Sequence, residues 1–259
     1  MNSLEFGNVI DELCPRSLAE EWDNCGFQIC FGDRQVKKVL VALEVTDTVI
    51  DEALNNGTDL IVTHHPLLFR NIKNVYDNDV IGNHLIRLIQ EEISVFSCHT
   101  DFDKMDGGNG DYFGEILGMK NISRIQNDVS GFCRKGELPC EMTVSELKKH
   151  IADSVELDEK HIRTAGKTEG RIFKCAWCTG AGSEFADIAF EDGCQCFITG
   201  DLKYHEVQEA SFMNRIFIDA GHYGTEKIFG PDMAALLREN TDGIEIIESV
   251  KDINPFTMI

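Results

Sequence analysis

Segments with the composition of buried β-strands alternate with segments that have the periodicity of amphipathic helices along most of the chain. In the first half the strand-like segments are VKKVLVALEV (36–45), DLIVTHHP (59–66) and SVFSCHT (94–100), and helix-like segments lie at 46–57, 80–92 and 110–118. Parallel strands are joined by crossover connections that are usually helices, so this alternation is typical of a parallel sheet covered by helices. It predicts an α/β protein with mostly parallel sheets.

The second half of the chain repeats this pattern. Its strand-like segments are RIFKCAWCTGAGS (171–183), CQCFITGD (194–201) and NRIFIDAGHYG (214–224). Residues 57–63 match residues 193–199 without a gap, and a later strand in each half is followed by a His-x3-carboxylate pattern, at His99 and at His222. Because both matches occur in the same order, they predict an internal duplication with two pseudo-symmetric α/β halves.

A more polar and charged middle separates the two halves. We predict a first α/β half at 1–120, a small connecting subdomain at 121–170 and a second α/β half at 171–259, with the two halves packing as one functional unit. Within the middle, Thr143 and Glu146 have the spacing of a capping box at the start of a helix.

The charge balance of the chain is strongly acidic. Its 24 Lys and Arg residues face 45 Asp and Glu residues, which gives a formal net charge of −21 at pH 7. Nucleic acids and anionic membranes are bound through Lys and Arg, so this balance argues against an extended nucleic acid or a membrane as partner. No apolar run approaches the roughly 20 residues that span a bilayer, and the N-terminal segment lacks the basic and apolar regions of a signal peptide. We therefore expect a cytoplasmic protein.

The ten cysteines do not predict a disulfide framework, because a chain of this length can bury an ample core. Cys175 and Cys178 form a CxxC pair, a pattern that can bind zinc or undergo redox exchange. The pair lies inside a strand-like segment, and no second CxxC or nearby histidine completes a zinc site. We expect these two cysteines to be structural.

Histidines and carboxylates follow several of the predicted strands. His64 and His65 end one strand, although an isolated His-His pair more often has one core and one surface histidine. The other groups of this kind are His99, Asp103, Asp201, His205, His222 and Glu226. Ligands of open α/β sheets bind at the carboxyl ends of strands, so one crevice can collect these side chains.

Imidazole and carboxylate together suit divalent ions such as Zn, Fe, Mn or Ni. Three histidines and two carboxylates from this set already exceed what one catalytic metal needs, and they suit two metals roughly 3.5 to 4 Å apart that share a carboxylate and a hydroxide. We therefore expect two divalent metal ions as cofactors, held in a cleft between the two halves. Such a pair lowers the pKa of the shared water, so a hydroxide nucleophile exists at neutral pH.

Seven motifs, in order along the chain, resemble those of one family. They are WDNCGFQIC (22–30), VLVALEVTDTVIDEAL (39–54), DLIVTHHPLLF (59–69), CHTDFD (98–103), TGAGSEF (179–185), FITGDLKYH (197–205) and DAGHYGTEKIFGPDMAALL (219–237). Together they are similar to the Ngg-interacting-factor-three-like family, whose bacterial members are commonly named GTP cyclohydrolase 1 type 2 homologues. The resemblance covers most of the chain except the middle. Glu44 stands where that family usually has Asp.

The resemblance implies a two-lobed α/β fold with a dinuclear metal centre, and a toroidal homohexamer. The metal ligands that it implies, with Asp103 as the bridge, are His64, His65, Asp103, His222 and Glu226. The residues that it places near the metals, in supporting or acid-base roles, are His99, Asp201 and His205.

Two functions fit these expectations. The first is a metal-dependent hydrolase of a small anionic or nucleotide-like substrate; in the cyclohydrolase version, hydroxide attacks C8 of the guanine ring of GTP and formate is released, with His99 or His205 moving protons. The second is a metal-binding regulatory or scaffold protein without turnover. The segment TGAGS (179–183) lacks the lysine of a P-loop, and we interpret it as a strand-to-helix turn whose backbone amides can hold a phosphate.

Overall fold

The computed structural model describes residues 1–258. The α-helices in this range are α1 (Ser3–Leu13), α2 (Asp47–Asn56), α3 (Val80–Gln90), α4 (Thr100–Lys104), α5 (Asn109–Ile116), α6 (Val144–Ser154), α7 (Ala186–Glu191), α8 (Tyr204–Phe212), α9 (His222–Glu226) and α10 (Phe229–Asn240). The β-strands are β1 (Gly26–Ile29), β2 (Lys38–Ala42), β3 (Leu60–Thr63), β4 (Ser94–Ser97), β5 (Lys120–Arg124), β6 (Arg134–Met142), β7 (Arg163–Gly166), β8 (Ile172–Ala181), β9 (Cys196–Gly200), β10 (Ile216–Asp219) and β11 (Glu245–Glu248). Among these helices, none has the length and hydrophobicity that crossing a lipid bilayer requires.

The chain folds into two compact units that are discontinuous in sequence. Unit 1 comprises Met1–Met105 and Phe229–Ile253, and unit 2 comprises Asp106–Ile228 with a short stretch from Asn254 onward. The chain therefore leaves unit 1 after α4, builds unit 2, and returns to add α10 and β11 to unit 1.

The predicted division at 1–120, 121–170 and 171–259 follows the sequence duplication and has other boundaries than these units. Residues of the polar middle form β5, β6, α6 and β7, which lie in unit 2, and three of these elements are strands of its sheet. The C-terminal α10 and β11, which the sequence assigned to the second half, lie in unit 1.

Unit 1 is built on a five-stranded sheet in the order β1-β4-β3-β2-β11. The strands β4, β3, β2 and β11 run parallel to one another, and β1 at one edge is antiparallel. Every residue of β3 and β4 is buried, as expected for strands in the interior of a parallel sheet. Leu40, Ile61 and Val95 from this sheet pack in one hydrophobic cluster with Ile50 of α2 and Leu88 of α3.

Unit 2 contains a six-stranded sheet in the order β5-β6-β8-β9-β10-β7. The adjacent strands β8, β9 and β10 are parallel, and the strands outside them pair in the antiparallel sense. Together with the sheet of unit 1, this confirms the α/β class with mostly parallel strand pairing in the middle of each sheet.

Side chains of β8 alternate between two hydrophobic cores. Cys175 and Trp177 lie in one core, and Ala176 and Cys178 lie in the other. The two cysteines of the CxxC pair therefore point to opposite faces of the strand, which prevents them from joining in a disulfide or sharing a metal. Their burial in these cores agrees with a structural role, and each of the ten cysteines, all within residues 1–258, is a free thiol.

Four strands of each sheet, in the orders β1-β4-β3-β2 and β7-β10-β9-β8, share one topology, which confirms the predicted duplication. In unit 1 an antiparallel edge strand β1 lies beside β4, β3 and β2, and in unit 2 the antiparallel strand β7 lies beside β10, β9 and β8. The connecting helices correspond as well, because α2, α3 and α4 follow β2, β3 and β4, while α7, α8 and α9 follow β8, β9 and β10. The residue pairing of the central strands agrees, since Thr63 faces Ser97 and Thr199 faces Asp219.

The local signals in the sequence account for several helix ends. The Thr46 hydroxyl accepts a hydrogen bond from the Val49 amide at the start of α2, and Gly57 ends that helix in the left-handed conformation with φ of 64°. The predicted capping box at α6 is present, because Thr143 and Glu146 each accept a hydrogen bond from the backbone amide of the other.

Candidate functional site

In unit 1, the backbone turns immediately after β3 and places two histidines at the end of the strand. The amides of His64 and His65 both donate to the carbonyl oxygen of Leu43, at 3.1 and 2.9 Å. His64 is fully buried, and its Nδ1–H donates to the carbonyl oxygen of Cys98 over 2.8 Å. Since Nδ1 carries the hydrogen, Nε2 of His64 presents a lone pair and can act as a metal ligand.

His99 follows β4 and is held by a carboxylate that the sequence analysis did not select. Its Nδ1–H donates to Asp23 at 3.0 and 2.9 Å from the two carboxylate oxygens. Asp23 also accepts hydrogen bonds from the amide and the hydroxyl of Thr100, at 3.1 and 2.6 Å. Burial acts to raise the pKa of Asp23, but the hydrogen bonds from His99 and Thr100 outweigh it and hold the pKa well below its usual range.

The signal that could have identified Asp23 is the motif WDNCG, which contributed to the family resemblance without receiving a role. A single aspartate before β1 has no spacing that relates it to a histidine 76 residues later. Only the fold reveals that Asp23 fixes the tautomer of His99 and therefore directs its Nε2.

Three histidines of unit 1 form one cluster with a carboxylate beside it. One ring nitrogen from each of His64, His65 and His99 lies within 4.8 Å of the others, which is close enough for a shared ion. Nε2 of His64 lies 3.5 Å from an oxygen of Asp103 on α4. Glu44, whose position is usually Asp in the family, reaches to 3.7 Å from Nδ1 of His65.

A second carboxylate on α4 is buried and differs from Asp103 in its surroundings. The side chain of Asp101 is fully buried, and one of its oxygens accepts a hydrogen bond from the Phe102 amide. Burial raises the pKa of Asp101 to about 6, against the lowering effects of its hydrogen bonds and of nearby His64. Burial likewise raises the pKa of the neighbouring Cys25 thiol far above its ordinary value, so this thiol stays protonated.

In unit 2, a histidine on α9 lies between two carboxylates. Nδ1–H of His222 donates to Asp201 over 2.9 Å, and Nε2 of His222 lies 2.9 Å from an oxygen of Glu226 one turn later. Asp201 has a left-handed backbone with φ of 55°, an uncommon conformation for a residue other than glycine. Such conformations concentrate at functional sites, and this one directs the Asp201 carboxylate to the histidine ring.

A glycine near the end of β8 makes room for the Glu226 carboxylate. A Cβ atom at Gly180 would lie 2.2 Å from an oxygen of Glu226, and the backbone φ of Gly180 is +64°. Its amide donates to the hydroxyl of Thr225, and the Gly182 amide donates to the hydroxyl of Thr199. The expectation that these amides can hold a phosphate is therefore wrong for Gly180 and Gly182, because both already bond within unit 2.

The His-x3-carboxylate patterns of the two units are offset by one residue in the structure. Two residues separate β4 from α4 and two separate β10 from α9, so His99 corresponds in position to Gly221 as the residue before the helix. His222 is the first residue of α9 and corresponds to Thr100. His99 therefore precedes α4, whereas His222 is the first residue of α9, and the two histidines have different carboxylate partners.

The remaining predicted site residue, His205, lies elsewhere on unit 2. It is exposed near the start of α8, where its ring contacts Tyr204 with centroids 5.3 Å apart. Among the described residues it belongs to none of the groups that could hold a metal ion. Its proton-transfer role stays a prediction.

The chemistry of the donor sets fits a divalent metal. In each unit a histidine has its Nδ1–H donated to an acceptor, while its Nε2 faces a carboxylate oxygen, at 3.5 Å for His64 and 2.9 Å for His222. In the neutral tautomer with its hydrogen on Nδ1, both atoms of such a pair are electron-pair donors, so a cation bound between them stabilises the arrangement. Two ligands bound at about 2.0 to 2.2 Å to one ion lie roughly this far apart.

Comparison with known proteins agrees with this chemistry and with the sequence motifs. The family model Duf34/NIF3 (NGG1p interacting factor 3) matches residues 1–255. The chain belongs to the Duf34/NIF3 family. A relative within the Duf34/NIF3 family, the GTP cyclohydrolase 1 type 2 homolog of Clostridium perfringens, is 35% identical over 257 residues, which are 97% of each chain.

Solved structures share the Duf34/NIF3 fold seen here. The Staphylococcus aureus hypothetical protein SA1388 matches with a TM-score of 0.93 at 26% identity, covering 100% of this chain and 99% of that protein. A Bacillus cereus protein related to NIF3 matches with a TM-score of 0.93 and the same coverage, and at 22% identity it supports the fold alone. The fold and family that the sequence motifs predicted are thereby confirmed.

Proposed function

We propose that this protein is a dinuclear-metal-dependent hydrolase that acts on a small nucleotide-like substrate. The proposed metal ligands are His64, His65, Asp103, His222 and Glu226. The ions proposed for them are two divalent metals drawn from Zn, Fe, Mn and Ni. The relatives named GTP cyclohydrolase 1 type 2 homolog support GTP as the first substrate to test.

The observation that carries this proposal is that three of the site histidines each have a hydrogen-bond acceptor at Nδ1. Nδ1–H of His64 donates to a backbone carbonyl, and those of His99 and His222 donate to the carboxylates of Asp23 and Asp201. Metal-binding histidines commonly have this outer hydrogen bond, which orients the ring and raises the basicity of the other nitrogen.

Bound divalent cations supply Lewis acidity, which makes hydroxide available from water near neutral pH. The residues of the chain supply orientation and proton transfer. His99 is suited to accept a proton at Nε2, because Asp23 holds Nδ1–H and stabilises the positive charge that the ring then carries. Asp201 orients His222 and keeps its Nε2 directed toward Glu226. His205 is the alternative proton-transfer residue.

The surroundings of the proposed reaction follow from the acidic composition. With a net charge of −21, the surface disfavours an extended nucleic acid or an anionic membrane, whereas a small phosphate-bearing molecule meets the proposed cations locally. We further propose a cytoplasmic location and a homohexameric assembly, both of which rest on the sequence expectations.

Metal content and turnover, measured on the same samples, test the proposal. The metal-free protein is incubated separately with Zn, Fe(II), Mn and Ni, desalted, and assayed for bound metal by mass spectrometry and for formate released from GTP. We expect up to two ions per chain and formate release with at least one metal. Alanine variants at the five ligand positions should lose both, whereas His161→Ala, which changes a half-buried histidine of unit 2, should lose neither.

Two outcomes contradict the proposal in different ways. If the ligand variants lose metal while formate release is unchanged, the hydrolase reading fails. If the wild-type protein binds metal with the expected dependence on the five positions and hydrolyses neither GTP nor related nucleotides, the alternative applies, namely a metal-binding regulatory or scaffold protein without turnover.

A further inference from the structure

Two large aromatic side chains of unit 1 lie exposed beside His99. Trp22 is 63% exposed and Phe69 is 54% exposed, although burial of such side chains normally contributes strongly to stability. The ring centroids of Trp22 and Phe69 are 6.1 Å apart, and those of His99 lie 6.4 Å from Trp22 and 6.0 Å from Phe69. The three rings therefore form one cluster, which we name the aromatic corner.

The planes of the three rings in the aromatic corner are nearly perpendicular to one another. The interplanar angles are 81° between Trp22 and Phe69, 80° between Trp22 and His99, and 85° between Phe69 and His99. A flat ring that stacks on one of these side chains is oriented for edge-to-face contact with the other two. Stacking and edge-to-face contacts are both favourable between aromatic rings. More than half of the surface of Trp22 and of Phe69 is exposed, so each side chain has open area on which a planar ring can stack.

The polypeptide around the two exposed rings is held in place by hydrogen bonds. Asp23, next to Trp22, is fixed by His99 and Thr100, as described above. Leu68, next to Phe69, accepts a hydrogen bond from the Asn24 side chain at 2.9 Å and donates one to the Gln28 side chain at 3.1 Å. The two aromatic segments are therefore joined before any ligand arrives, and this preorganisation lowers the entropy cost of binding.

His99, the third ring of the aromatic corner, lies next to the histidines of the proposed reaction centre. The His99 ring lies 5.1 Å from the His64 ring and 5.7 Å from the His65 ring, measured between centroids. The aromatic corner therefore adjoins the cluster of His64, His65 and His99. Attack of hydroxide on a ring carbon comes from the face of the ring, so a ring with one face stacked on Trp22 or Phe69 keeps its other face open to the nucleophile.

We propose that the aromatic corner of Trp22, Phe69 and His99 binds the planar nitrogen heteroaromatic ring of the substrate, of nucleobase size, by stacking. The substrate role rests on the proposed function, whereas the binding itself rests on the geometry of unit 1. Base stacking on an aromatic side chain contributes a factor of roughly 5 to 150 in affinity per base. Removal of either exposed ring should therefore weaken binding of the ring by that factor.

Intrinsic fluorescence provides a direct measurement, because the chain has two tryptophans in different environments. Trp22 is exposed, whereas Trp177 is fully buried and its indole N–H donates to the Gly110 carbonyl oxygen. Guanosine is titrated into metal-free full-length protein at several protein concentrations. The comparison probes are ribose 5-phosphate, which lacks the ring, and tetramethylammonium, which is a cation without a plane. We expect saturable quenching by guanosine and no response to the other two probes.

Variants measured by equilibrium dialysis with guanosine assign the effect to the corner. Trp22→Leu and Phe69→Leu should weaken binding by roughly 5- to 150-fold, and Trp22→Phe should retain affinity within about 5-fold because a stacking face remains. Phe212→Leu is the matched control, because Phe212 is 90% exposed on unit 2 and should not affect binding. His64→Ala should retain guanosine binding while losing formate release, which separates failure of the corner from failure of the hydrolase proposal.

Three results would overturn the assignment. Guanosine affinity that is equal in the wild type, Trp22→Leu and Phe69→Leu places the base elsewhere. Quenching by tetramethylammonium without quenching by guanosine identifies the corner as a cage for organic cations. Trp22 emission that changes with protein concentration and not with guanosine identifies the corner as a contact between protein copies.

Discussion

Four strands of each unit have the same order and the same helix connections, yet the two units place different side chains at equivalent points. Unit 1 has His64 and His65 directly after Thr63, and in the ungapped match unit 2 has Gly200 and Asp201 after Thr199. A Cβ atom at Gly200 would lie 2.5 Å from the backbone nitrogen of His222. At the position of the His64 side chain, unit 2 therefore has no side chain and packs backbone against backbone. The duplicated strands end at the same point but carry different functional groups there.

The one-residue offset between the histidine patterns explains a second difference. His99 precedes its helix and is held by Asp23 from a distant loop, whereas His222 begins its helix and is held by Asp201 from the adjacent strand end. In unit 1 the proposed ligands come from a strand end and a helix, and in unit 2 they come from one helix alone. The predictions below test whether these differences separate metal binding from proton transfer.

The largest effect is expected at Gly180 in unit 2. Gly180→Ala places a methyl group 2.2 Å from the Glu226 carboxylate and should weaken metal binding by about 100-fold, because it displaces a proposed ligand. Gly118→Ala is the control, since Gly118 has the same φ of +64° with no atom within 4 Å of the added Cβ. Chelator competition measures affinity. Equal metal affinity in the two variants would show that Glu226 is not a ligand.

The next effect compares the two orienting carboxylates. Asp201→Asn should weaken metal binding by about 10-fold, because loss of an outer hydrogen-bond partner disturbs a ligating histidine. Asp23→Asn should leave metal affinity within about 2-fold and lower the rate of formate release, because Asp23 is proposed to act on the proton-transfer residue His99. Titration with Zn and steady-state kinetics provide the two readouts. A loss of metal in Asp23→Asn would instead make His99 a ligand.

A third prediction concerns the pH dependence of unit 1, whose α4 carries Asp101 where α9 of unit 2 carries Tyr223. The folded-state pKa of Asp101 is raised to about 6 from an ordinary value of 3.8. Between these values the folded state binds more protons than the unfolded state, so the stability contributed by this group falls as pH rises toward 6 and stays low above it. Asp101→Asn does not ionise and should raise the free energy of unfolding by about 1 to 3 kcal/mol above pH 6.

Urea denaturation of the metal-free protein at pH 4 and pH 7.5 measures this difference. The stabilising effect of Asp101→Asn should be present at pH 7.5 and nearly absent at pH 4. A variant that is less stable than wild type at pH 7.5 would show that the charged carboxylate contributes favourably to the fold.

The smallest effect on stability is expected at the first crossover helix of unit 1, which differs from its counterpart in unit 2 at the N-cap. α2 has a side-chain cap from Thr46, whereas α7 starts after Phe185 without a side-chain hydrogen bond at its cap. Thr46→Ala should lower the free energy of unfolding by about 0.5 to 1 kcal/mol. Asn55→Gln, at an exposed position of the same helix, is the control and should change stability by less than about 0.5 kcal/mol. Equal values would mean that the 3.3 Å cap bond contributes nothing measurable.

The fold was predictable wherever the signals are local. Strand and helix segments alternate visibly, and the match of residues 57–63 with 193–199 predicted the duplication that the sheets show. The boundary of the units was not predictable, because β11 is a short segment, EIIE, with no turn or glycine signal that relates it to β2. β11 pairs with β2, about 200 residues earlier, only because the chain returns to unit 1 after building unit 2.

The candidate site was predictable in part for a similar reason. The positions of His64 and His222 follow from their place at strand ends, whereas the partners that fix their tautomers come from the fold. Asp23 carries no local signal for its role, and the offset of His99 relative to His222 is hidden because a sequence match pairs histidine with histidine. Identical residue types in a repeat therefore predict a site better than they predict the role of each member.

The return of the chain to unit 1 has a consequence for protein synthesis. A ribosome completes residues 106–228, which contain every strand of the second sheet, before it makes α10 and β11. Until residues 245–248 have emerged, β2 is an open edge of the first sheet, and such an edge is a site for unwanted pairing between nascent chains. The last strand to be translated thus closes the sheet that was begun first.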